Sequence, residues 1–236
     1  MSGTPVLEAI GLASGYLPGQ HVVEDVDIQV PAGEVTVLLG ANGAGKSTTM
    51  HTLAGMMPAR KGEVRYDGEV TKDPLHVRAR KGLAYVTEQR SVLMGLTTRE
   101  NIRVGGVREE DVLGHFPELE KRINIRGGLL SGGEQQMLTL GRALARRPRV
   151  LLADELSLGL AAKVVTRLLQ AVRATADEHG TAVLLVEQHV RKVLKYADNV
   201  YVLQHGRIVL SGSGPEMADR IDEIEGLYMH GTEAAA

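Results

Sequence analysis

The stretch Gly40-Ala41-Asn42-Gly43-Ala44-Gly45-Lys46-Ser47-Thr48 fits the pattern G-x-x-x-x-G-K-[ST]. The run before it, Val35–Leu39, is apolar and rich in β-branched residues, which is typical of a buried parallel strand. Residues 46–54 contain neither Pro nor Gly and can form a helix. This order of strand, glycine-rich loop and helix predicts an α/β fold built around a phosphate-binding loop.

Each part of this loop offers a chemical role. Gly43 and Gly45 let the backbone curl so that successive N–H groups can face phosphate oxygens, and the helix N-terminus adds partial positive charge. Lys46 can reach the β- and γ-phosphates, and the Ser47 hydroxyl can coordinate Mg²⁺. The alternative is a glycine-rich turn that binds nothing, and the motifs below argue against it.

The composition bounds the function classes. The 236 residues are 43% hydrophobic and 24% charged, which is ordinary for a globular protein with one sizeable core or two small ones. The net charge of −2 gives no global basic field that would recruit nucleic acid. The sequence has no Cys, which excludes disulfide and thiolate chemistry. No apolar run is long enough to span a bilayer, so a membrane role would depend on the helices of another protein.

The hydrophobic pattern divides the chain into strand-rich and helical parts. Residues 6–30 predict β-structure, and apolar Val26, Ile28 and Val30 alternate with polar residues, as in a strand with one wet face. The pattern from about 95 to 145 is helical, which predicts a helical subdomain, taken as about 90–145, inserted between strand-rich parts. The other predicted elements are strands at 62–68, 83–86, 150–153 and 182–186, a helix at about 162–178, and a hairpin of 200–203 with 207–210. Residues 232–236 are expected to form a frayed tail.

A second motif carries two carboxylates. The predicted strand at 150–153 ends in Asp154 and Glu155. The carboxyl edge of a parallel sheet is where ligands bind in α/β folds. After a phosphate loop, Asp154 could hold Mg²⁺, directly or through water, and Glu155 could polarise an attacking water as general base. A solvated acidic strand end is the alternative.

A third motif is Leu130-Ser131-Gly132-Gly133-Glu134-Gln135-Gln136. Ser131 and Glu134 have the spacing of a capping box, so a helix is predicted to start here. The segment could be no more than a well-capped helix. Alternatively, the two glycines expose N–H groups to an anion, and the Ser131 hydroxyl binds phosphate rather than capping.

The three motifs, in this order, resemble the ATP-binding cassette ATPases. The resemblance covers nearly the whole chain and implies a single domain at 4–231. The implied fold is a P-loop NTPase (RecA-like) parallel sheet core with an N-terminal antiparallel β subdomain and an inserted helical subdomain. It also implies two cassettes that enclose two ATP molecules with Mg²⁺, head to tail. Each ATP would lie between the Lys46 loop of one subunit and Ser131, Gly132, Gly133 and Glu134 of the other.

Other positions match the family one at a time. Tyr16 resembles the aromatic residue that stacks on adenine, although a surface tyrosine of a strand would look the same. The family's glutamine loop should follow residues 85–86. Here Glu88 stands at the expected position and Gln89 one residue later, and either could touch Mg²⁺ and water.

The switch histidine of the family should follow residues 185–187. Gln188 stands there and His189 comes one residue late. Glutamine can hydrogen-bond a γ-phosphate but cannot carry charge as a protonated histidine would. In an extended segment the two side chains point to opposite sides, and counting back from Asp198 favours Gln188 as the catalytic partner of Lys46 and Glu155. Leu156 and Ala161 also replace a proline and an aspartate that are usual in the family.

These departures resemble one branch, the ATP-binding subunits of importers for branched-chain and other hydrophobic amino acids. The resemblance implies integral-membrane permease subunits as partners, a second cassette in a homo- or heterodimer, and indirectly an extracytoplasmic substrate-binding protein. It places the protein at the cytoplasmic face of the membrane and implies no nucleic acid partner. Related importers carry amides or urea. A soluble cassette ATPase and a nucleotide-binding regulator that does not hydrolyse are the other classes.

Overall fold

The computed structural model describes residues 5–17 and 19–230, and the bounds of its elements in chain order are as follows. The strands are β1 (Pro5–Ser14), β2 (Val23–Pro31), β3 (Val35–Leu39), β4 (Lys61–Tyr66), β5 (Glu69–Val70), β6 (Leu83–Val86), β7 (Val150–Asp154), β8 (Ala182–Glu187), β9 (Asn199–Gln204) and β10 (Arg207–Ser213). The helices are α1 (Lys46–Ala54), α2 (Leu75–Arg80), α3 (Thr98–Val104), α4 (Glu109–His115), α5 (Gly132–Leu144), α6 (Ala162–His179), α7 (Val190–Val193), α8 (Gly214–Asp219) and α9 (Ile221–His230). Short 3₁₀ helices lie at Pro117–Arg122, Gly127–Leu129 and Leu194–Tyr196.

The larger sheet has the strand order β10-β9-β3-β8-β7-β6. β3 pairs in parallel with β8 and β9, and β7 pairs in parallel with β6 and β8, whereas the edge strand β10 is antiparallel to β9. Helices connect the parallel strands, as parallel pairing requires. The predicted α/β class is therefore confirmed.

Both faces of this sheet are covered. Val35, Val37 and Leu39 of β3 pack into a cluster with apolar residues of α5 and α6, while Leu38 packs into a second cluster with residues of α1, β1 and β2. Every residue of β3, β7 and β8 is buried. Burial on both faces explains why these strands are near-continuous apolar runs in the sequence.

The smaller sheet is antiparallel, with the order β2-β1-β4-β5. In β2, Val26, Ile28 and Val30 are buried and the polar residues between them are exposed. The prediction of a strand with one wet face is confirmed. The buried face of this sheet contributes to the second cluster and so covers one side of the large sheet.

Between β6 and β7 the chain forms α3, α4, α5 and two of the 3₁₀ helices. The fully buried Asn101 fixes the loop that enters this segment. Its Oδ1 accepts a hydrogen bond from the N–H of Leu93 at 2.8 Å, and its Nδ2 donates to the carbonyl oxygens of Leu93, Leu96 and Thr97. These bonds tie α3 to residues 93–97 of the loop that follows β6.

The remaining predicted elements are also present, since helix α6, the strands at 83–86, 150–153 and 182–186, and the hairpin of β9 and β10 form where the pattern places them. The short helices α2, α7, α8 and α9 have no counterpart among the predictions. They have four to ten residues, too few for a clear helical period. The predicted tail at 232–236 lies outside the described residues.

Candidate active site

The parallel register brings three segments together at one edge of the large sheet. Leu39, the last residue of β3, lies opposite Glu187 of β8, and Asp154 at the end of β7 lies opposite Val186. Parallel strands that end level with one another place the residues that follow them side by side. The phosphate loop, the carboxylate pair and the segment after β8 therefore meet.

A cavity of about 540 Å³ opens at this edge. Most of the predicted site residues line it, and two further residues do so, Val22 and Leu158. The predicted residues in the lining are Tyr16, Asn42, Gly43, Gly45, Lys46, Ser47, Thr48, Glu88, Glu155 and Gln188. The rest of the loop, Gly40, Ala41 and Ala44, belongs to the same turn but does not line this cavity, and neither does Asp154.

Lys46 is the cation of the site. Its side chain is 5% exposed, and its Nζ donates hydrogen bonds to the carbonyl oxygens of Gly40 and Ala41 at 2.8 and 3.1 Å. Nζ also lies 3.8 Å from Oε1 of Glu155. Burial lowers the pKa of Lys46, and the nearby carboxylates Glu155 and Asp154 oppose that shift. The ammonium is thus held in the loop by weak, exchangeable acceptors that an anionic ligand could replace.

The loop backbone leaves donors free at the start of α1. Gly43 and Gly45 have positive φ of 80° and 109°, and a Cβ on Gly45 would lie 2.5 Å from Cγ1 of Val23. Helices α3, α5 and α8 begin with a capping box, whereas α1 has neither a side-chain cap nor an acidic residue in its first turn. The first N–H groups of α1 can therefore bind an anion.

Asp154 and Glu155 occupy different environments. Asp154 is 6% exposed, and burial together with the charge of Glu155 raises its pKa to about 6. The hydroxyl of Tyr85 lies 3.4 Å from its Oδ2 and favours the charged form. Glu155 has a left-handed backbone with φ of 47°, which turns its side chain into the cavity. Such strain in a non-glycine residue persists only where the surroundings enforce it.

Gln188, not His189, faces the cavity. Nε2 of Gln188 donates to Oε1 of Glu155 at 2.7 Å and to Oδ1 of Asn42 at 2.9 Å. His189 is exposed at the N-cap of α7 and does not line the cavity. The strand β8 continues through Glu187, so the alternation of side chains puts the two residues on opposite sides.

Of the two glutamine-loop candidates, Glu88 lines the cavity and Gln89 does not. The charge of Glu88 contributes to the raised pKa of Asp154. Within residues 5–17 and 19–230, no group of three or more His, Cys, Asp or Glu side chains is arranged to hold a metal ion. A metal bound by one or two carboxylates, a hydroxyl and the phosphates of a ligand does not need such a group.

The third motif, which includes Ser131 to Glu134, does not line this cavity. Ser131 caps α5, since its Oγ accepts from the N–H of Glu134 at 3.3 Å and Oε2 of Glu134 accepts from the N–H of Ser131 at 2.8 Å. The predicted capping box is confirmed. Gly132 and Gly133 form the first turn of α5. Ser131 to Glu134 do not line the cavity that contains Lys46.

Two contacts near the site have no counterpart in the sequence analysis. Tyr85 reaches Asp154 from β6, and Ser157 hydrogen-bonds the buried carboxylate of Glu187. Both pairs join residues far apart in the chain, and their spacing matches no motif. The one available signal was an acidic residue, Glu187, at the end of an otherwise apolar strand.

The volume of a cavity does not by itself identify the candidate active site. A larger cavity, about 810 Å³, is lined by residues of β6 and of the helices α2, α4 and α5, and none of the predicted site residues lines it. The smaller cavity has the chemistry of a phosphate site, because it combines a cation, free backbone donors and acceptors for a metal.

Comparisons with known proteins agree with this geometry. A family model described as "ABC transporter" matches residues 23–157, more than half of the chain. The high-affinity branched-chain amino acid transport ATP-binding protein BraG of Pseudomonas aeruginosa is 43% identical over 211 residues, covering 85% of this chain and 90% of that protein. The lipopolysaccharide export system ATP-binding protein LptB of Escherichia coli K12 is 31% identical over 223 residues, covering 89% and 92%.

The fold is shared with solved structures. One, an ATP-binding cassette of an ABC transporter, is 23% identical and has a TM-score of 0.85 over 95% of this chain and 99% of that one. The expected fold, a P-loop core with an antiparallel β-sheet and added helices, is confirmed. No helix within the described residues is both long and apolar enough to cross a membrane.

The contacts of Gln188 generate a first prediction. Gln188→Ala removes the hydrogen bonds to Glu155 and Asn42, so the rate of phosphate release from ATP should fall roughly tenfold to a thousandfold. His189→Ala is the matched control at the neighbouring exposed position and should stay within about threefold of the wild type. An inactive His189→Ala variant beside an active Gln188→Ala variant would show that the register is shifted by one residue.

The buried carboxyl of Asp154 generates a second prediction. Its folded-state pKa of about 6 lies above the ordinary 3.8, so the folded protein binds more protons than the unfolded one between these pH values. The contribution of this group to stability is therefore lost as pH rises through that window. In chelator without nucleotide, Asp154→Asn should raise the free energy of unfolding at pH 7.5 by on the order of 1–3 kcal/mol.

Denaturant unfolding at several pH values measures this difference. The gain in free energy of unfolding of Asp154→Asn over the wild type should shrink as the pH falls and vanish near pH 4, where Asp154 is protonated in the wild type. A variant that is less stable than the wild type at pH 7.5, or a gain that does not depend on pH, would contradict this view of the site.

Proposed function

The chain belongs to the ABC transporter family of ATPases, which hydrolyse ATP, and from this premise we propose that it powers a membrane importer of branched-chain or other hydrophobic amino acids. The observation that carries the proposal is the cavity at the strand edge, where Lys46, Glu155 and Gln188 meet beside the uncapped start of α1.

In the binding step, the phosphates of ATP lie against the N–H groups at the start of α1, and Lys46 exchanges its carbonyl partners for phosphate oxygens. The acceptors Gly40 and Ala41 are backbone carbonyls, so this exchange leaves no buried charge unpaired. Tyr16, which lines the cavity with 63% of its surface exposed, is free to stack on the adenine ring.

The residues fit a magnesium ion that is shared with the phosphates. The Ser47 hydroxyl, Asp154 and Glu88 supply oxygen donors, and burial together with the charges of Glu155 and Glu88 raises the pKa of Asp154 although Lys46 opposes the shift. When bound, Mg²⁺ neutralises phosphate charge and lowers the barrier to displacement of the γ-phosphate.

In the hydrolytic step, Glu155 takes a proton from the attacking water while Gln188 holds the carboxylate and the γ-phosphate in line. The 2.7 Å hydrogen bond from Gln188 to Glu155 supports this division of roles, because it fixes the oxygen that would accept the proton. Lys46, 3.8 Å from the same oxygen, stabilises the charge that develops on the phosphate.

A second cassette completes the site. Ser131, Gly132 and Gly133 lie outside the cavity that contains Lys46, so we place them on the ATP molecule of a partner subunit, head to tail. The start of α5 is capped by Ser131 and Glu134, unlike that of α1, so an ATP phosphate bound there would take the place of this cap on the Ser131 hydroxyl and the glycine N–H groups. A homodimer and a heterodimer satisfy this arrangement equally.

The cargo and the membrane partners follow from the relatives. The branched-chain amino acid relative is 43% identical to this chain, and the lipopolysaccharide export relative 31%. This difference favours an amino-acid importer with integral-membrane permease subunits at the cytoplasmic face of the membrane and an extracytoplasmic substrate-binding protein. Importers of amides or urea, lipopolysaccharide export, and an ATPase not tied to transport are the competing functions.

Reconstitution generates a third prediction. The chain is copurified with its membrane partners and placed in proteoliposomes with Mg-ATP on the cassette side, and uptake of radiolabelled leucine, urea and acetamide is measured. Leucine uptake and phosphate release should both require ATP. Lys46→Ala should weaken ATP binding about tenfold to a hundredfold and abolish both activities, because it removes the loop cation.

Lys72→Ala, an exposed lysine between β5 and α2, is the matched control and should leave both activities unchanged. Undiminished ATP affinity in Lys46→Ala would contradict the loop assignment. Phosphate release stimulated by urea or acetamide but not by leucine would retain the ATPase and reject the amino-acid cargo.

A further inference from the structure

Glu187, the last residue of β8, is an unusual residue for its position. Its side chain is 2% exposed, and five apolar residues precede it in a strand that is buried throughout. Both of its carboxylate oxygens are engaged by one residue. Oε1 accepts a hydrogen bond from the N–H of Ser157 at 3.0 Å, and Oε2 accepts one from the Ser157 hydroxyl at 2.5 Å.

A buried carboxylate is costly unless donors satisfy it. Burial raises the pKa of Glu187, and the hydrogen bonds from Ser157 oppose that shift. An apolar residue would fill the same place without this cost. The position of its donor, Ser157, indicates what the Glu187 carboxylate contributes beyond stability.

Ser157 lies two residues after Glu155, in the turn that leads from β7 to α6. The same turn is tied to β8 at a second point, because the N–H of Glu155 donates to the carbonyl oxygen of Val186 at 2.9 Å. Three hydrogen bonds therefore join the turn to the last two residues of β8. The turn carries Glu155, and Gln188 follows the end of β8. Nε2 of Gln188 donates to Oε1 of Glu155 at 2.7 Å.

We propose that Glu187 is a positioning residue that clamps Ser157 to the end of β8 and thereby holds Glu155 in its left-handed backbone conformation, aligned with Gln188. This inference rests on the hydrolytic mechanism proposed above. The turn that the clamp holds also carries Leu158, which lines the cavity. Glu187 itself does not line the cavity.

The clamp acts on the rate of hydrolysis and not on ATP binding. The backbone donors of α1 and the bonds of Lys46 to Gly40 and Ala41 involve neither Glu187 nor Ser157. Loosening the turn lets Glu155 leave its strained conformation and lose its alignment with Gln188. The turnover number falls, while the KM for ATP stays the same.

The first test removes only the hydroxyl. Ser157→Ala should lower kcat about tenfold to a hundredfold and leave KM for ATP within about threefold of the wild type. The matched control is Thr181→Ala, just before the opposite end of β8. Thr181 is also buried, and its hydroxyl donates to the carbonyl oxygen of Pro148 at 2.7 Å. This variant should lose similar thermal stability but keep its kcat.

The second test changes the acceptor. Glu187→Gln retains an oxygen for the N–H of Ser157 and can donate to its hydroxyl oxygen, so it should keep kcat within about threefold of the wild type. Glu187→Leu fills the volume without acceptors and should lower kcat about a hundredfold. Adding Ser157→Ala to Glu187→Leu should lower kcat no further, because the two residues act as one unit.

The outcomes separate the clamp from the proposed function. Absence of phosphate release in the wild type would reject the proposed function. A wild type that hydrolyses ATP, with Ser157→Ala within about threefold of it, would overturn the clamp, as would multiplicative losses in the double variant. Equal losses of kcat in Ser157→Ala and Thr181→Ala would show a general loss of stability and would also overturn it. Ser157→Ala decides the matter even if Glu187→Leu fails to fold.

Discussion

The site depends on one constraint, which is that the neighbouring parallel strands β3, β7 and β8 end side by side at the same edge of the sheet. β3, β7 and β8 are adjacent, buried on both faces and aligned so that the phosphate loop, Glu155 and Gln188 leave the sheet at one edge. A shift of one residue in any of these strands would move its side chains from one apolar cluster to the other, which they do not fit, and would also move the residue that follows it. The packing that stabilises the sheet therefore also sets the geometry of the site.

The electrostatics of this edge are dominated by carboxylates. Asp154 and Glu187 are buried, Glu155 and Glu88 line the cavity, and Lys46 is the cation within reach of Glu155. Three of these four carboxylates have different hydrogen-bond partners: Tyr85 for Asp154, Gln188 for Glu155 and Ser157 for Glu187. The excess of negative groups is compatible with the magnesium ion proposed above, and a cation bound here would make ligand binding and the stability of this edge interdependent.

Local patterns in the sequence predicted the fold and the strand, loop and helix around residues 35–54, because these elements are encoded by contiguous residues. The strand before Gly40, the capping box at Ser131 and the wet face of β2 all form as expected. Where the motif was displaced by one residue, alternation in an extended chain let only one of Gln188 and His189 face the site, and the count back from Asp198 favoured Gln188, which lines the cavity. The choice between Glu88 and Gln89 lies in a loop without a period, so only the three-dimensional structure could decide which one faces the cavity.

The contacts of Tyr85 with Asp154 and of Ser157 with Glu187 could not be predicted. They depend on strands that are adjacent in the sheet but 69 and 30 residues apart in the chain. No property of the individual residues indicates such a pair, except that Glu187 is an acidic residue at the end of a buried, otherwise apolar strand. The helices α7 and α9 escaped prediction because their four and ten residues are stabilised by tertiary contacts, such as the ion pair of Arg191 with Glu225.

In the proposed ATP site, one chain supplies the Lys46 loop and Ser131 acts on the ATP of a partner subunit. The direct measurement is the mass of the protein by light scattering with Mg-ATP, in a Glu155→Gln background that slows hydrolysis. The account predicts an ATP-dependent dimer for Glu155→Gln and a monomer that still binds ATP when Ser131→Arg is added. Ser213→Arg, which removes the capping serine of α8, is the matched control and should still dimerise. ATP-driven dimerisation of the Ser131→Arg variant equal to that of Ser213→Arg would contradict the account.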